Sequence, residues 1–279
     1  MSDGQLETGG LPDAMKGVTW IAAYPKSGNT WMRFMVCNLL FGRQESAAAL
    51  ATLVPDIHEG PPVTECPKQG AVLKTHFPYS GRLAFADRTA AAIYIIRHPA
   101  DVLVSNFFYS QRSAGNTDPS TADFDQYVEM FLEHRGDKRW IELGMGSWEQ
   151  NVRSWLKGGL PFPVVRIRYE DMIDDPQGAC RSMARLLRPE SSAADIEGAV
   201  RNSSFSRMRD IERADIRAKR IGIFYKPYLQ ASIDSGNRFM RRGLAGDGVA
   251  RLNPQQRARL RDAFGALLQE MGYADPVAA

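Results

Sequence analysis

The sequence is short of the groups that staple small secreted proteins or build metal sites. Cysteine occurs three times, at Cys37, Cys66 and Cys180. The odd number and wide spacing argue against a disulfide framework or a zinc ribbon and fit reduced thiols in a cytoplasm. Histidine occurs four times, at His58, His76, His98 and His134. There is no HExxH, no DxD-type cluster and no paired histidine ligands, so no metal is expected. No apolar run approaches the ~18 residues of a membrane span. The opening MSDGQLETGGLPDAMKG is polar and acidic, without the basic start and apolar run of a signal peptide. Residues 1–16 are therefore expected to be a flexible tail, residues 17–279 one domain, and the location cytoplasmic. The formal charge of +3 is small for a chain of 279 residues. That points to local basic sites and away from nucleic acid as a partner.

Against those absences stands a chain that is 44% hydrophobic, enough for one large core. VTWIAAY (18–24), AVLKTH (71–76), AAIYIIR (91–97) and PVVRIRYED (163–171) read as strands. Helical patterns follow at 30–42, after Pro99, at 123–135, 147–157, 176–188 and 192–202, and a final amphipathic helix covers 253–273. Asp171 or Asp174 is the expected cap of the 176–188 helix. Residues 209–236 show no clear period. Apolar strands alternating with helices predict an α/β fold: one domain, a central parallel sheet flanked by helices, with ligands at the carboxyl ends of the strands.

The first strand runs into YPKSGNTW and then a helix. Backbone N–H groups of such a loop, with the helix N-terminus, form an anion site. Pro25 and Gly28 shape the turn, Ser27, Asn29 and Thr30 add donors, and Lys26 adds a full charge. In a Walker A loop the lysine follows the last glycine and precedes Ser or Thr; here Lys26 precedes the glycine. The shorter loop suits a 5′-phosphate with its transferable group better than a magnesium triphosphate. The plain alternative is an ordinary turn with a solvated lysine. Arg97 ends the third strand, and Ser105 lies eight residues on, in the helix that follows. Together they could clamp a second phosphate, or they could be a surface arginine and a helix serine. Arg241, Arg242 and Gly243 in RRGLAGDG form a basic clamp, or a solvated charge cluster. Three anion sites suggest a nucleotide with phosphates at both ends.

His76 follows VLKT at the same sheet edge and is the candidate general base. Lys74, two residues earlier, shares its strand face and could add positive charge. His98 reads as positional, His58 as part of a long loop and His134 as part of a polar helix.

Taken together, YPKSGNTW, KTHFPY, IIRHPADVLVS, RYEDM, SSFSRM and FMRRGLAGD resemble the cytosolic-type sulfotransferases, in that family's order and spacing from about residue 18 to about residue 250. The resemblance implies 3′-phosphoadenosine 5′-phosphosulfate (PAPS) as donor, 3′-phosphoadenosine 5′-phosphate (PAP) as product, and transfer to a hydroxyl or amine of a small molecule. It implies that Lys26, Ser27, Gly28, Asn29 and Thr30 hold the 5′-phosphosulfate and that Trp31 stacks on adenine. Arg97 and Ser105 would take the 3′-phosphate and Tyr169 the adenine end. Ser203, Phe205 and Met208 would line the nucleotide site, while Arg241, Arg242 and Gly243 close on it. His76 would be the base. Lys26 and Lys74 would stabilise developing charge. After RRGLAGD the chain departs from the family's pattern, with Gly248, Val249, Ala250 and Arg251, and the family's dimer motif is not recognisable. A small-molecule kinase is the rival enzyme, and it would need GK[ST] and a magnesium carboxylate. The acceptor pocket is expected from aromatics such as Phe77, Tyr79, Phe107, Phe108, Tyr109, Trp140, Phe224, Tyr225 and Tyr228, which favour a flat or lipophilic acceptor.

Overall fold

A computed structural model describes residues 17–59, 70–114 and 123–273. The expected tail at 1–16, the middle of the 54–70 loop with Cys66, and the polar loop at 115–122 lie outside the described residues. Four strands form one parallel sheet in the order β2-β1-β3-β4. They are β1 (Val18–Ala22), β2 (Ala71–Thr75), β3 (Thr89–Ile96) and β4 (Val164–Arg168). Each lies within or close to its expected run. The main difference is YED, which opens a helix instead of ending β4.

The helices are α1 (Asn29–Phe41), α2 (Ala48–Leu53), α3 (Pro99–Ser113), α4 (Phe124–Glu133), α5 (Lys138–Glu142), α6 (Trp148–Leu156), α7 (Tyr169–Asp174), α8 (Pro176–Leu187), α9 (Ala193–Asn202), α10 (Phe205–Arg217), α11 (Gln230–Asp234), α12 (Asp247–Arg251) and α13 (Pro254–Glu270). The helix at 176 is capped by Asp175, whose carboxylate accepts from the Gly178 N–H at 2.8 Å. Neither Asp171 nor Asp174 does this. Asp171 is held by Arg168, and Pro176 at the first helical position leaves Asp175 as the residue in capping register. Part of the unreadable 209–236 stretch is α10. Its charged sequence hides a narrow inner face, where Met208, Ile211, Glu212 and Asp215 are buried.

Alternation along the strands divides the core between the two faces. Ile21, Ile93, Ile95 and Ile167 pack against α1, α8 and α9. Trp20, Ala22, Tyr94 and Ile96 pack on the other side against α3, α4, α6 and α13. Cys37 and Cys180 are free thiols buried in the first of these cores, where burial pushes each up to about 12. The chain leaves β1 toward β2 on one side and β3 toward β4 on the other, so the crevice opens between β1 and β3 at their carboxyl ends.

Candidate active site

That crevice holds a cavity of about 350 Å³. Its floor is the turn between β1 and α1, where Lys26 takes φ 69° and Gly28 φ 108°. A Cβ on Gly28 would fall 2.6 Å from the Tyr169 ring, so the backbone can pass only as glycine. The first helical bond runs from Met32 N–H to the Gly28 carbonyl. The Ser27 N–H is taken by the Tyr24 carbonyl at 3.3 Å, and the N–H groups from Gly28 to Trp31 are the ones that a helix start can offer to an anion. Ser27 Oγ and Trp31 Nε1 are buried donors with no protein partner, the kind of group that an anion cradle uses. Lys26 Nζ lies over the rings of Tyr109 at 4.1 Å and Phe239 at 4.6 Å. Burial, then repulsion from Arg112, Arg97, Arg139 and Lys74, pulls its ammonium down to about 7. An anion seated beside it would reverse that shift.

His76 sits where β2 ends. Its Nδ1 is 2.7 Å from the Ala23 carbonyl, which can only accept. This shorter contact puts the proton on Nδ1, with the Asn29 amide, 3.3 Å from the same nitrogen, turned to present its oxygen, and Nε2 keeps its lone pair, making no hydrogen bond to the described residues. Burial, then repulsion from Lys74, holds the imidazole neutral well below 6.5. Two residues missed in the sequence hold it in place. His58, from the long loop, accepts the His76 backbone N–H at 2.8 Å through Nε2, and Asn151 of α6 donates to the His76 carbonyl at 2.7 Å. His58 also lines the cavity, and burial, then Lys74, pulls it down to about 4.

Lys74 does share the face of His76 but is not a free charge. Its Nζ is 2.8 Å from Asp56, with side chains 5% and 9% exposed. Burial would raise the Asp56 carboxyl, yet Lys74, His76 and the His58 N–H hold it at about 2. The pair fastens residues 54–59 beside β2, where Lys74 N–H meets the Pro55 carbonyl at 2.8 Å and Ile57 N–H meets the Lys74 carbonyl at 3.1 Å. Nothing in the local sequence signals Asp56 as the partner.

Arg97 is 8% exposed and lies over the Tyr169 ring at 4.0 Å. Its Nη1 donates to the Lys26 carbonyl and its Nη2 to the Leu244 carbonyl, so it ties the first loop to the basic loop. Asp101, one helical turn on, accepts the backbone N–H groups of Gly246 at 2.9 Å and Gly248 at 2.6 Å. The stretch after RRGLAGD, where the sequence leaves the family's pattern, is thus α12, docked on α3. Asp247 gathers Arg241 at 3.1 Å, Arg242 at 2.6 Å and Arg251 at 3.3 Å. Gly243, at φ 65°, lies against Phe205, where a Cβ would come within 2.5 Å of the ring.

The structure brings nearly all the sequence candidates to this cavity. Lys26, Gly28, Asn29, Thr30 and Trp31 line it from the first loop, and Lys74 and His76 from β2. Arg97, Ser105, Tyr169, Phe205 and Met208 line it from the far side, with Arg241, Arg242 and Gly243 at its rim. Ser27 is buried beneath the loop. Ser203 does not reach the wall: its hydroxyl donates to the Ala199 carbonyl at 2.6 Å, closing α9. Of the aromatic candidates, Tyr109, Trp140 and Tyr228 line the cavity. Phe107, Phe224 and Tyr225 are buried. Tyr79 packs on Trp155 and Phe162, Phe77 packs on His58, and Phe108 lies under Arg241.

The sulfotransferase domain family matches residues 16–272. Sulfotransferase 1B1 of Canis lupus familiaris is 27% identical over 240 residues, covering 81% of this chain and 75% of its own length. Sulfotransferase 1A1 of Rattus norvegicus is 26% identical over 201 residues, covering 68% of this chain and 66% of its own length. A mouse sulfotransferase complexed with PAP shares the fold at a TM-score of 0.68 and 23% identity, covering 92% of this chain and 86% of its own. A retinol dehydratase in complex with androsterone and PAP does so at 0.63 and 17%, covering 93% and 82%.

The buried pair under the site yields a prediction. Asp56→Asn should leave Lys74 without its counter-charge and lower unfolding stability by about 3–5 kcal/mol in urea melts at neutral pH. The double change Asp56→Leu with Lys74→Met should recover most of that loss.

Proposed function

The chain belongs to the sulfotransferase domain family, and from that premise we propose that it moves the sulfuryl group of PAPS to a hydroxyl or amine of a small-molecule acceptor. The observation that carries the reading is the neutral His76, with its Nδ1 proton fixed on Ala23 and its Nε2 open to the cavity that Lys26 shares. His76 Nε2 takes the proton of the attacking acceptor. The bond from sulfur to the acceptor forms as the bond from sulfur to the 5′-phosphate oxygen breaks, giving a sulfate ester (or sulfamate) and PAP. Lys26 and the N–H groups at the start of α1 hold the charge that grows on the departing phosphate. Arg97, Ser105, Arg241 and Arg242 hold the 3′-phosphate, and Trp31 and Tyr169 hold the adenine end, so that the reacting atoms are in line. Lys74 acts mainly through Asp56, keeping the His76 segment in place. A kinase reading lacks a lysine after the last glycine of the loop. The androsterone found with the retinol dehydratase supports an acceptor with an apolar body. No helix among the described residues is long and apolar enough to cross a membrane. A cytoplasmic site of action fits that and the scarcity of cysteine.

PAP at ~100 times its dissociation constant should add about 2.7 kcal/mol of stability. ADP or ATP with magnesium should add little; a melt raised by ATP and magnesium alone would sink the reading. His76→Ala should lower kcat roughly 10²–10⁴-fold while PAP affinity stays near that of the wild type.

Lys26 sets a pH dependence. With its pKa near 7 in the free protein, PAP must bind the protonated form, so affinity should fall as pH rises above about 7, by up to roughly tenfold per unit. Calorimetry in buffers of different ionisation enthalpy should show proton uptake on binding above that pH. Lys26→Arg should abolish both effects.

A further inference from the structure

The cavity wall carries more positive charge than its carboxylates match. Lys74 pairs with Asp56, Lys226 with Glu59 at 3.2 Å, and Arg241 and Arg242 share Asp247. Arg97 has Asp101 at 3.8 Å, and Arg33 caps α2 through the Leu50 and Val54 carbonyls. Among the described residues, three wall cations have no carboxylate within ion-pair distance, Lys26, Arg33 and Arg112, and of these Arg33 is met by its three hydrogen bonds to the Leu50 and Val54 carbonyls. The 5′-phosphosulfate accounts for Lys26. Nothing in the donor accounts for Arg112.

Arg112 is only 5% exposed. Nη2 donates to the Phe224 carbonyl at 3.1 Å, while Nε is buried with no partner. The guanidinium also faces the Phe239 ring at 5.9 Å, but a buried donor left unmet on a charged group is costly unless something else meets it. Its place on α3 says at which end of the crevice that happens. Ser105, Tyr109 and Arg112 stand at i, i+4 and i+7, one stripe of the helix that begins beside Arg97. At 1.5 Å per residue, Arg112 lies ~10 Å along the axis from Ser105, beyond the Tyr109 ring that covers Lys26. The 3′-phosphate end is therefore behind it and the acceptor end around it. Leu143, Trp140, Ile223 and Tyr228 supply apolar wall in the same cavity, Tyr228 and Leu143 being 66% and 55% exposed at its mouth.

We propose that Arg112 reads an anionic group on the acceptor, so that the enzyme acts on hydroxyl-bearing carboxylic acids with an apolar body in preference to neutral alcohols. The proposal rests on the sulfotransferase reading and adds the acceptor's charge to it. An unmatched arginine met by a carboxylate gives a charge-assisted, bidentate contact. It would orient the acid so that its hydroxyl, at the other end of the body, faces His76 Nε2.

The test uses the PAP-saturated protein, wild type and Arg112→Gln, titrated calorimetrically with two matched pairs. These are 4-hydroxyphenylpropionate and its methyl ester, and lithocholate and its methyl ester. The wild type should bind at least one acid about 10- to 100-fold more tightly than its ester. Arg112→Gln should erase that preference and leave PAP affinity within a few-fold. Arg112→Lys, which keeps the charge, should retain part of the preference and guards against mere loss of the Phe224 contact. Acids and esters binding alike to the wild type would overturn the proposal. So would Arg112→Gln weakening PAP as much as the acid, because the guanidinium would then serve the donor. Absence of PAP binding to the wild type would instead sink the donor assignment, and this proposal with it.

Discussion

Repulsion among cations gathered at one sheet edge is the constraint that the rest of the structure answers. Lys26, Lys74, Arg97, Arg112, Arg241 and Arg242 all line one cavity. In water such a cluster is harmless, but in a half-dry crevice each charge makes the next more costly to keep. The fold answers with carboxylates set one step behind the wall. Asp56 meets Lys74, Asp101 stands behind Arg97, and Asp247 gathers the basic loop. Lys26, left open beside other cations, is the group whose charge depends most on an incoming anion.

Each of those carboxylates also positions backbone. Asp56 pins residues 54–59 beside β2 and so brings His58 against His76. Asp101 holds two N–H groups of the basic loop and fastens α12 to α3. Glu212, buried on α10, accepts the Phe239 and Met240 N–H groups at 2.6 and 3.2 Å and sets the near end of that loop. Charge balance and loop geometry are thus the same contacts. A change that removes one carboxylate should disturb both.

Aromatic rings complete the scaffold by demanding glycine opposite them. Tyr169 lies against Gly28 and Phe205 against Gly243. Both rings sit at the starts of helices, Tyr169 of α7 and Phe205 of α10. The first loop and the basic loop are held to one another by Arg97, which stacks on Tyr169 and donates to a carbonyl of each.

Much of the fold was legible in the chain itself. Runs such as IAA and IYII are apolar on both alternating faces, which only a parallel sheet covered on both sides can bury. The two loops that line the cavity were legible too, because glycine, lysine and arginine at fixed local spacing reflect constraints that act within a few residues. The Arg97–Asp101 pair at i, i+4 could have been found the same way. What the sequence could not reveal was which distant groups would meet. His58 came from a loop with no periodicity. Asp56, Asn151 and Glu212 each find their partners across elements, and Ser203 turned inward to close a helix. Local chemistry determined the strands, the loops and the residue that could serve as base. The tertiary structure alone decided which charges are paired and which remain open, because that depends on distances between segments that the chain brings together only when both faces of the sheet are buried.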